Sequence, residues 1–297
     1  WRDWSSDVCS SDLSDCLTRE GVVVGLSGLG ADELFGGYPT FWRTPRLAGM
    51  LRRRTVRMGV GVMHACGVDR WLGRRSWFEK IADIAASDVS DTSVIIGARR
   101  VVSDRSLTSL GFDRTSLGLD GAWLDARQGG VEAGFDGDLF NIIARTEATH
   151  YMGDMLLRDT DANSMRHSLE VRVPFLDLPL VDYVSALPGD LKGGGAPGKR
   201  LLREACRDLL PSRVAQRKKT GFTLPIGSWM TGVMREFCQS SIDRLAARSE
   251  IDGQAVHRLW QIFLRSPESL HWSRPLALVV LGNYLGALAG PAGRRAS

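Results

Sequence analysis

The sequence predicts a predominantly helical α/β protein. An apolar run at residues 22–24 precedes a glycine-rich turn, which is the pattern of a short buried strand of a parallel sheet that leads into a helix. Most of the remaining chain repeats its apolar residues at three- and four-residue spacing, which is typical of amphipathic helices. One clear strand, many helices and no internal repeat indicate the edge of an α/β core beside a large helical remainder.

The first half of the chain is divided by loops rich in small and polar residues. Its predicted elements are the end of a helix at residues 15–20, a strand at 21–26, a helix at 41–67, two or three short helices within 76–112 and a loop at 113–136. Ser87 and Ser90 are candidate N-caps within the short helices, because a serine hydroxyl can accept a hydrogen bond from the first helical turn.

The second half is predicted from its periodicity and its prolines. Its elements are a helix at residues 139–157, an extended segment at 172–177, a helix at 181–186, a mobile loop at 192–198, an amphipathic helix at 199–209 and further helices separated by Pro211, Pro225 and Pro267. The segment at 172–177 is predicted to be extended because Pro174 disfavours helical backbone at the residue before it.

Composition excludes several classes of protein. The chain is 43% hydrophobic and 24% charged, which is an ordinary globular balance, and its net charge is +4. The arginines between residues 43 and 57 favour a solvated helix face over a nucleic-acid surface. Five cysteines without a C-x-x-C pair indicate neither a disulfide framework nor a zinc site and fit a reducing cytoplasm. The apolar stretch at 275–290 contains Asn283 and is too short to span a bilayer, so a packed core helix is expected; no signal-peptide pattern is present.

The turn at residues 25–38 combines a hydroxyl, closely spaced glycines and two carboxylates. Small residues let backbone N–H groups approach a ligand, and a helix start adds partial positive charge. A carboxylate in the same turn can hold Mg²⁺ against phosphate oxygens. The turn therefore predicts a nucleotide site with magnesium. The structural alternative is a glycine-rich turn capped by Asp32. A dinucleotide fingerprint is excluded because Glu33 stands where the last glycine of G-x-G-x-x-G is needed.

Three segments, in order, resemble motifs of the asparagine synthetase family. Residues 25–38 are similar to S-G-[DE]-G-x-D-E-x-F-G-G-Y, residues 156–177 to LL…D…SM…SLE.RVPFLD, and residues 198–229 to GK…LR…LP…R.K.GF..P…W. The resemblance covers about residues 15–290. It implies an ATP-pyrophosphatase (adenine nucleotide alpha hydrolase-like) synthetase domain. It also implies ATP-dependent amide formation on a carboxylate through an acyl-adenylate, with ammonia derived from glutamine.

The resemblance also assigns candidate site residues. Ser27, Gly28 and Gly30 would bind ATP, and Asp32 would bind Mg²⁺ beside pyrophosphate. Lys219 would neutralise the pentavalent phosphate and the acyl intermediate; the alternative is that it belongs to a solvated basic run. Glu170, which shares a face of an extended segment with Arg172, would be a charge partner or base near the acyl site.

Other motif residues receive weaker or structural interpretations. Asp177 is interpreted either as a ligand or as a helix cap, and Asp161 as a residue that supports the fold. The structural interpretations are close packing at Gly36 and Gly37, pairing near a helix start at Glu33, a surface position for His167, and a shared helix face for Lys199 and Arg203.

One motif position departs from the family pattern. Leu29 stands where the family usually has Asp or Glu, and leucine can neither accept a proton nor bind ammonia. Either the amine is handled differently or the acceptor is not aspartate, so the acceptor is open: aspartate, a cell-surface sugar acid or a β-lactam precursor. A catalytically inactive fragment or scaffold is a third possibility.

The beginning of the chain leads to a further expectation. Residues 1–13 repeat a Ser-Ser-Asp unit and resemble a translated sequencing adapter, so they are interpreted as a non-native leader, with a disordered polar leader as the alternative. Residues 14–297 would be a partial synthetase domain truncated at its N-terminus. The family's glutaminase domain, with its catalytic N-terminal cysteine, and its S-G-G-x-D-S pyrophosphate loop do not occur in the sequence. The chain alone is therefore expected to be inactive; a homodimer is left open.

The adjacent Lys218 and Lys219 allow a matched comparison in the full-length enzyme. We expect Lys219→Met to lower kcat by roughly 10²–10³-fold, with a smaller change in KM for ATP, because its charge would meet the transition state better than bound ATP. Lys218→Met removes a solvated charge worth about 0–1 kcal/mol and should change little. Steady-state kinetics of both variants check this; equal and small effects would show that the basic run is only a surface.

Overall fold

The computed structural model describes residues 4–66, 75–86, 91–112, 137–193, 198–215 and 224–289. The elements of the first part are α1 (Trp4–Arg19), β1 (Val24–Leu26), α2 (Ala31–Phe35), α3 (Thr40–Leu51), α4 (Arg54–Ala65), α5 (Arg75–Ala86), α6 (Asp91–Arg99) and α7 (Asp104–Ser109). The central part contains α8 (Leu139–Thr146), a π-helix (Glu147–Leu156), α9 (Leu157–Met165), β2 (Glu170–Arg172), a 3₁₀-helix (Pro174–Leu176), α10 (Leu178–Ala186) and α11 (Gly189–Lys192). The last part contains α12 (Arg200–Ala205), α13 (Ser212–Ala215), α14 (Ile226–Thr231), α15 (Arg235–Ala246), α16 (Gly253–Arg265) and α17 (Ser273–Ala289). A mostly helical α/β architecture is confirmed.

The sheet seen in the described ranges has two parallel strands. β1 pairs with β2 so that Val24 lies opposite Glu170 and Leu26 opposite Arg172. The prediction of a parallel-type strand is confirmed, but the prediction that it is buried is wrong, since Val23 is 69% and Leu26 77% exposed. Within the described ranges, the apolar side chains of β1 are thus left largely uncovered by other elements.

Several predicted helices differ in their limits. The helix at residues 41–67 is interrupted at 52–53, which separates α3 from α4. The three short helices within 76–112 are confirmed, whereas the candidate caps Ser87 and Ser90 and the loop at 113–136 lie outside the described residues. The predicted helix at 199–209 ends at Ala205, because Arg207 and Leu209 donate to carbonyls three residues earlier rather than four.

Two further departures concern the central part. The helix at 139–157 is continuous, but ten of its residues form a π-helix, a rare conformation that simple periodicity does not reveal. The segment at 172–177 is extended only to Val173, because Pro174 starts the 3₁₀-helix, a position where its fixed φ and missing N–H are tolerated.

The N-terminal helix is longer than the sequence indicated. α1 is continuous from Trp4, where only its end at residues 15–20 was predicted, so a disordered leader is wrong for this segment. His167 joins it to the end of α9: Nε2 lies 2.9 Å from Ser11 Oγ, and Nδ1 lies 3.7 Å from Asp15 Oδ1. The His167 side chain is 22% exposed, so it is an interface residue rather than a free surface histidine.

The largest apolar core joins α14, α15, α16 and α17. Trp260, Phe263, Met230 and Ile242 are fully buried there. A side chain at Gly282 would overlap the backbone of α15, so α15 and α17 approach at backbone distance. The predicted core helix at 275–290 is thereby confirmed. Within the described ranges, no helix has both the length and the apolar character needed to cross a membrane.

A smaller core positions the glycine-rich turn. Ala31, Leu34 and Phe35 of α2 pack with Val184 of α10, and partly buried leucines of α12 cover them. The Phe35 and Phe175 rings meet edge to face with centroids 6.1 Å apart. Residues from the three motif segments therefore share one apolar cluster, which holds the turn against α12 and against the region that follows β2.

Lys192, predicted to open a mobile loop, is instead the last residue of α11 and is 1% exposed. Its ammonium donates to Asn141 Oδ1 and to the Val184 carbonyl, the latter at 2.9 Å. Asp138 caps α8 and accepts from the Gly189 N–H at 2.7 Å, so α11 is fastened to α8. Burial lowers the pKa of Lys192 to about 8, which the Asp138 charge partly opposes.

This pKa predicts a specific pH dependence of stability. An unfolded lysine titrates near about 10.4, so between that value and a folded pKa of about 8 the unfolded state binds more protons and stability rises with pH. We expect the unfolding free energy of wild type relative to Lys192→Met to rise by about 1–3 kcal/mol across this window. Urea unfolding at about pH 7.5, 9 and 10 measures it, and a constant difference would contradict the burial of the charge.

Candidate functional site

The site begins where β1 ends. Ser27 follows the strand and remains tied to it, because its N–H donates to the Arg172 carbonyl at 2.8 Å. The Ser27 hydroxyl accepts a weak hydrogen bond from the Leu29 N–H at 3.4 Å. Gly30 has a left-handed backbone conformation, with φ of 91°, and is the N-cap residue of α2, so no side chain caps this helix. Asp32 is therefore inside the helix, and the alternative that it caps the turn is wrong.

The glycines of the turn have different surroundings. A Cβ on Gly30 would overlap Leu176 of the 3₁₀-helix, and one on Gly36 would lie 2.8 Å from the Phe140 ring. A Cβ on Gly37 would overlap the Asp32 carboxylate and lie 2.9 Å from Lys199 Cε. Close packing at Gly36 and Gly37 is thus confirmed. Gly28 faces open space, with no atom within 4 Å of the position of a Cβ, so its backbone is accessible to a ligand.

Asp32 forms an ion pair that the sequence analysis did not predict. Its Oδ1 lies 3.1 Å from Lys199 Nζ, and the two side chains are 26% and 28% exposed. Lys199 is the N-cap of α12, with φ of 54°, and therefore precedes the helix. The prediction that it shares a helix face with Arg203 is wrong. The Gly198-Lys199 pair of the third motif was the available signal, since a glycine before a cation often marks a functional turn.

The neighbouring acid has a different environment. Glu33 is 1% exposed, and its Oε1 accepts a hydrogen bond from the Tyr38 hydroxyl at 2.7 Å. Burial raises the pKa of Glu33, with further contributions from the charges of Asp32 and Glu147. Burial and the Glu33 charge likewise raise the pKa of Tyr38. The structural interpretation of Glu33 is confirmed, but its partner is a partly buried tyrosine rather than the helix start.

Of the two predicted catalytic residues, only Glu170 lies in the described part of the chain, and it is not at the turn. Glu170 lies at the N-terminal end of β2, opposite Val24, whereas Ser27 follows the other end of the sheet. Its carboxylate accepts from Arg172 Nε at 2.7 Å, and both side chains are exposed. The shared face of Glu170 and Arg172 is thus confirmed. Lys219 lies outside the described residues, as does Lys218.

A magnesium ion at the turn would have one protein carboxylate, that of Asp32. No group of three or more His, Cys, Asp or Glu side chains that could hold a metal occurs in the described ranges. Mg²⁺ in nucleotide sites is commonly held by one or two carboxylates together with substrate phosphates and water, so a single partly exposed aspartate beside an open glycine fits that ion.

Comparison with known proteins assigns the family. The chain matches the family model for asparagine synthase over residues 4–285 and belongs to that family. Asparagine synthetase (glutamine-hydrolyzing) 1 of Bacillus subtilis (strain 168) is 29% identical over 244 residues, which cover 75% of this chain and 34% of that protein. The corresponding synthetase 3 of the same strain is 27% identical over 256 residues, 83% of this chain and 35% of that protein. The chain thus spans about a third of the length of these relatives. No solved structure gives a significant match.

The glycines allow structural and ligand-facing roles to be separated. We expect Gly30→Ala to lower the unfolding free energy by about 2–4 kcal/mol, because it combines a left-handed backbone with overlap on Leu176. Gly28→Ala has open space and no left-handed backbone, and should change stability by less than about 1 kcal/mol. Chemical denaturation of both variants checks this; equal losses would mean that the packing of the turn is not as described.

Proposed function

We propose that this chain provides the nucleotide-binding part of an ATP-dependent ligase that forms an amide on a carboxylate. The single observation that carries the proposal is the Asp32–Lys199 pair, whose acid lies in the same glycine-rich turn as the open backbone of Gly28, after the end of β1. An exposed acid, a cation and accessible N–H groups are what a phosphate chain with its metal ion requires. Membership of the asparagine synthase family supports the same chemistry.

The proposed reaction has two steps. A carboxylate oxygen attacks the α-phosphorus of ATP, the bond to the bridging oxygen breaks, and pyrophosphate leaves. Ammonia then attacks the carbonyl carbon of the acyl-adenylate, and AMP leaves with the former carboxylate oxygen. Negative charge develops around the phosphate and the acyl carbon in turn, so positioned cations and N–H donors stabilise both transition states.

The residues of the turn would share these tasks. Ser27 and the N–H groups at Gly28 and Gly30 would contact the adenylate, and Asp32 would hold Mg²⁺. When bound, Mg²⁺ would neutralise the pyrophosphate. Lys199, now paired with Asp32, would remain within reach of the same phosphates.

Two sequence-derived residues complete the proposed machinery. Lys219 would neutralise charge on the phosphate and on the acyl intermediate, and Glu170 would act near the acyl site. The Glu170 carboxylate is exposed and could therefore meet a substrate. It is paired with Arg172, and it lies at the opposite end of the sheet from Ser27.

The remaining parts of the enzyme are proposed from its relatives. The relatives are named as glutamine-hydrolyzing, which supports a glutaminase domain elsewhere in the protein as the source of ammonia. The exposed apolar side chains of β1 support the proposal that more strands of an ATP-pyrophosphatase sheet cover it, because parallel sheets are usually buried on both faces.

The acceptor need not be aspartate. Leu29 is partly buried in the turn and offers no acid or base where the family motif usually has a carboxylate. This observation favours, as a second candidate, the same chemistry on another carboxylate such as a sugar acid or a β-lactam precursor.

The role of Asp32 can be tested in the full-length enzyme. We expect Asp32→Asn to abolish ATP–pyrophosphate exchange with every carboxylate of a panel while leaving the fold intact, since asparagine keeps the size of the side chain and removes the charge that Mg²⁺ needs. Asp182→Asn, at an exposed position of α10, is the matched control and should behave as wild type. Near-normal exchange by Asp32→Asn with an unchanged magnesium requirement would refute the assignment.

A further inference from the structure

Helix α2, which carries Asp32, cannot fix its own orientation. It has five residues and lies between two left-handed glycines, Gly30 and Gly36. A helix of this length has little stability of its own in water, because the cost of its first turn is barely recovered. The direction in which Asp32 points therefore depends on the contacts that other elements make with α2.

Glu33 is the polar contact that anchors α2. It is 1% exposed and accepts the Tyr38 hydroxyl at 2.7 Å. Successive helical residues point about 100° apart, so an inward Glu33 turns Asp32 toward the surface. At that surface Asp32 meets Lys199 and passes over Gly37, whose N–H donates to the Asp32 carbonyl at 2.7 Å. Tyr38 follows Gly37 directly, so the residue that donates to Glu33 is the next one in the chain after the N–H that closes this turn.

The Tyr38 ring is itself held by residues of two other elements. The Arg99 guanidinium of α6 lies 5.2 Å from the Tyr38 ring centroid and 4.5 Å from that of Tyr151. Arg99 also donates to both carboxylate oxygens of Glu147, the first residue of the π-helix, one of them at 3.0 Å. Tyr38 and Tyr151 meet edge to face with centroids 5.6 Å apart. A continuous series of contacts thus joins α6 and the π-helix, through Tyr38, to Glu33, the residue that follows Asp32 in α2.

We propose that Glu33 and Tyr38 are positioning residues for Asp32, an inference that rests on the proposed function. Without the Tyr38 hydroxyl, the buried Glu33 carboxylate loses its side-chain hydrogen-bond donor and keeps only its own backbone N–H, which leaves a buried acid poorly paired and is unfavourable. Glu33 then turns toward water and α2 rotates, which moves Asp32 away from the place where it would hold Mg²⁺. The defect is one of metal affinity rather than of chemistry once the metal is bound.

The first test compares two tyrosine variants of the full-length enzyme. For Tyr38→Phe we expect the Mg²⁺ concentration that half-saturates ATP–pyrophosphate exchange to rise about tenfold, with kcat at saturating Mg²⁺ within about twofold of wild type. The Kd for Mg²⁺ measured directly by calorimetry, with a non-hydrolysable ATP analogue bound, should rise by the same factor. Tyr284→Phe, at a 59% exposed position of α17, is the control and should leave both values unchanged. A Tyr38→Phe enzyme that loses only thermal stability, with wild-type Mg²⁺ dependence below its melting temperature, overturns the proposal.

Two variants at Glu33 test the same positioning role if Tyr38→Phe does not fold. Glu33→Gln keeps an oxygen that can accept the Tyr38 hydroxyl and should remain within about threefold of wild type in half-saturating Mg²⁺. Glu33→Leu fills the buried position without a polar group, so the variant should fold. Because leucine cannot accept the Tyr38 hydroxyl, the half-saturating Mg²⁺ concentration should still rise about tenfold. Equal Mg²⁺ dependence in these two variants overturns the proposal.

Asp32→Asn distinguishes a failure of the proposed function from a failure of the positioning role alone. If that variant leaves the Mg²⁺ requirement unchanged, the proposed function fails and the positioning role fails with it. If Asp32→Asn abolishes exchange while Tyr38→Phe and Glu33→Leu behave as wild type, the metal assignment stands and only the positioning role is overturned.

Discussion

The described part of the site depends on one ion pair, between Asp32 at the start of α2 and Lys199 at the start of α12. The two residues belong to motif segments that are far apart in sequence, so their contact requires that both segments pack correctly. Gly37 must lack a side chain for the Asp32 carboxylate to lie where it does. The shared apolar cluster of α2, α10 and α12 supplies the remaining constraint, because it holds the two helix starts at a fixed separation.

Local sequence was sufficient for the features that depend on neighbouring residues. The strand, the glycine-rich turn and the close packing at Gly36 and Gly37 follow from residue types and spacing, and the structure agrees. The exposure of β1 could not be predicted, since burial is decided by what covers a strand and not by the strand itself. Lys192 illustrates the same limit: it precedes a glycine-rich stretch typical of a loop, yet contacts with Asn141 and Val184 draw it into the interior.

Two adjacent carboxylates in α2 show how the structure separates chemically identical groups. Asp32 is partly exposed and faces a cation, whereas Glu33 is buried, faces a hydroxyl and has a raised pKa. The sequence pattern Asp-Glu contains no information about which of them faces inward. The direction is decided by Leu34 and Phe35, which must enter the apolar cluster, and by Tyr38, whose hydroxyl is available only on the inner side. The partly exposed carboxylate is the one that a ligand from solvent can reach, which is why the proposed function assigns the metal ion to Asp32 and not to Glu33.

Under the proposed function, Leu29 would separate two tasks that the family motif usually combines in one turn. Phosphate and metal recognition would use accessible backbone, a partly exposed acid and a cation, which the proposal assigns to Gly28, Asp32 and Lys199. Recognition of the acceptor needs a group that faces the acyl carbon, and a partly buried leucine supplies only apolar surface. The turn packs on α10 and α12 through Ala31, Leu34 and Phe35, and Leu29 is not part of that cluster. Under the proposed function, a change at Leu29 would therefore alter the acceptor side and leave the packing of the nucleotide side as it is.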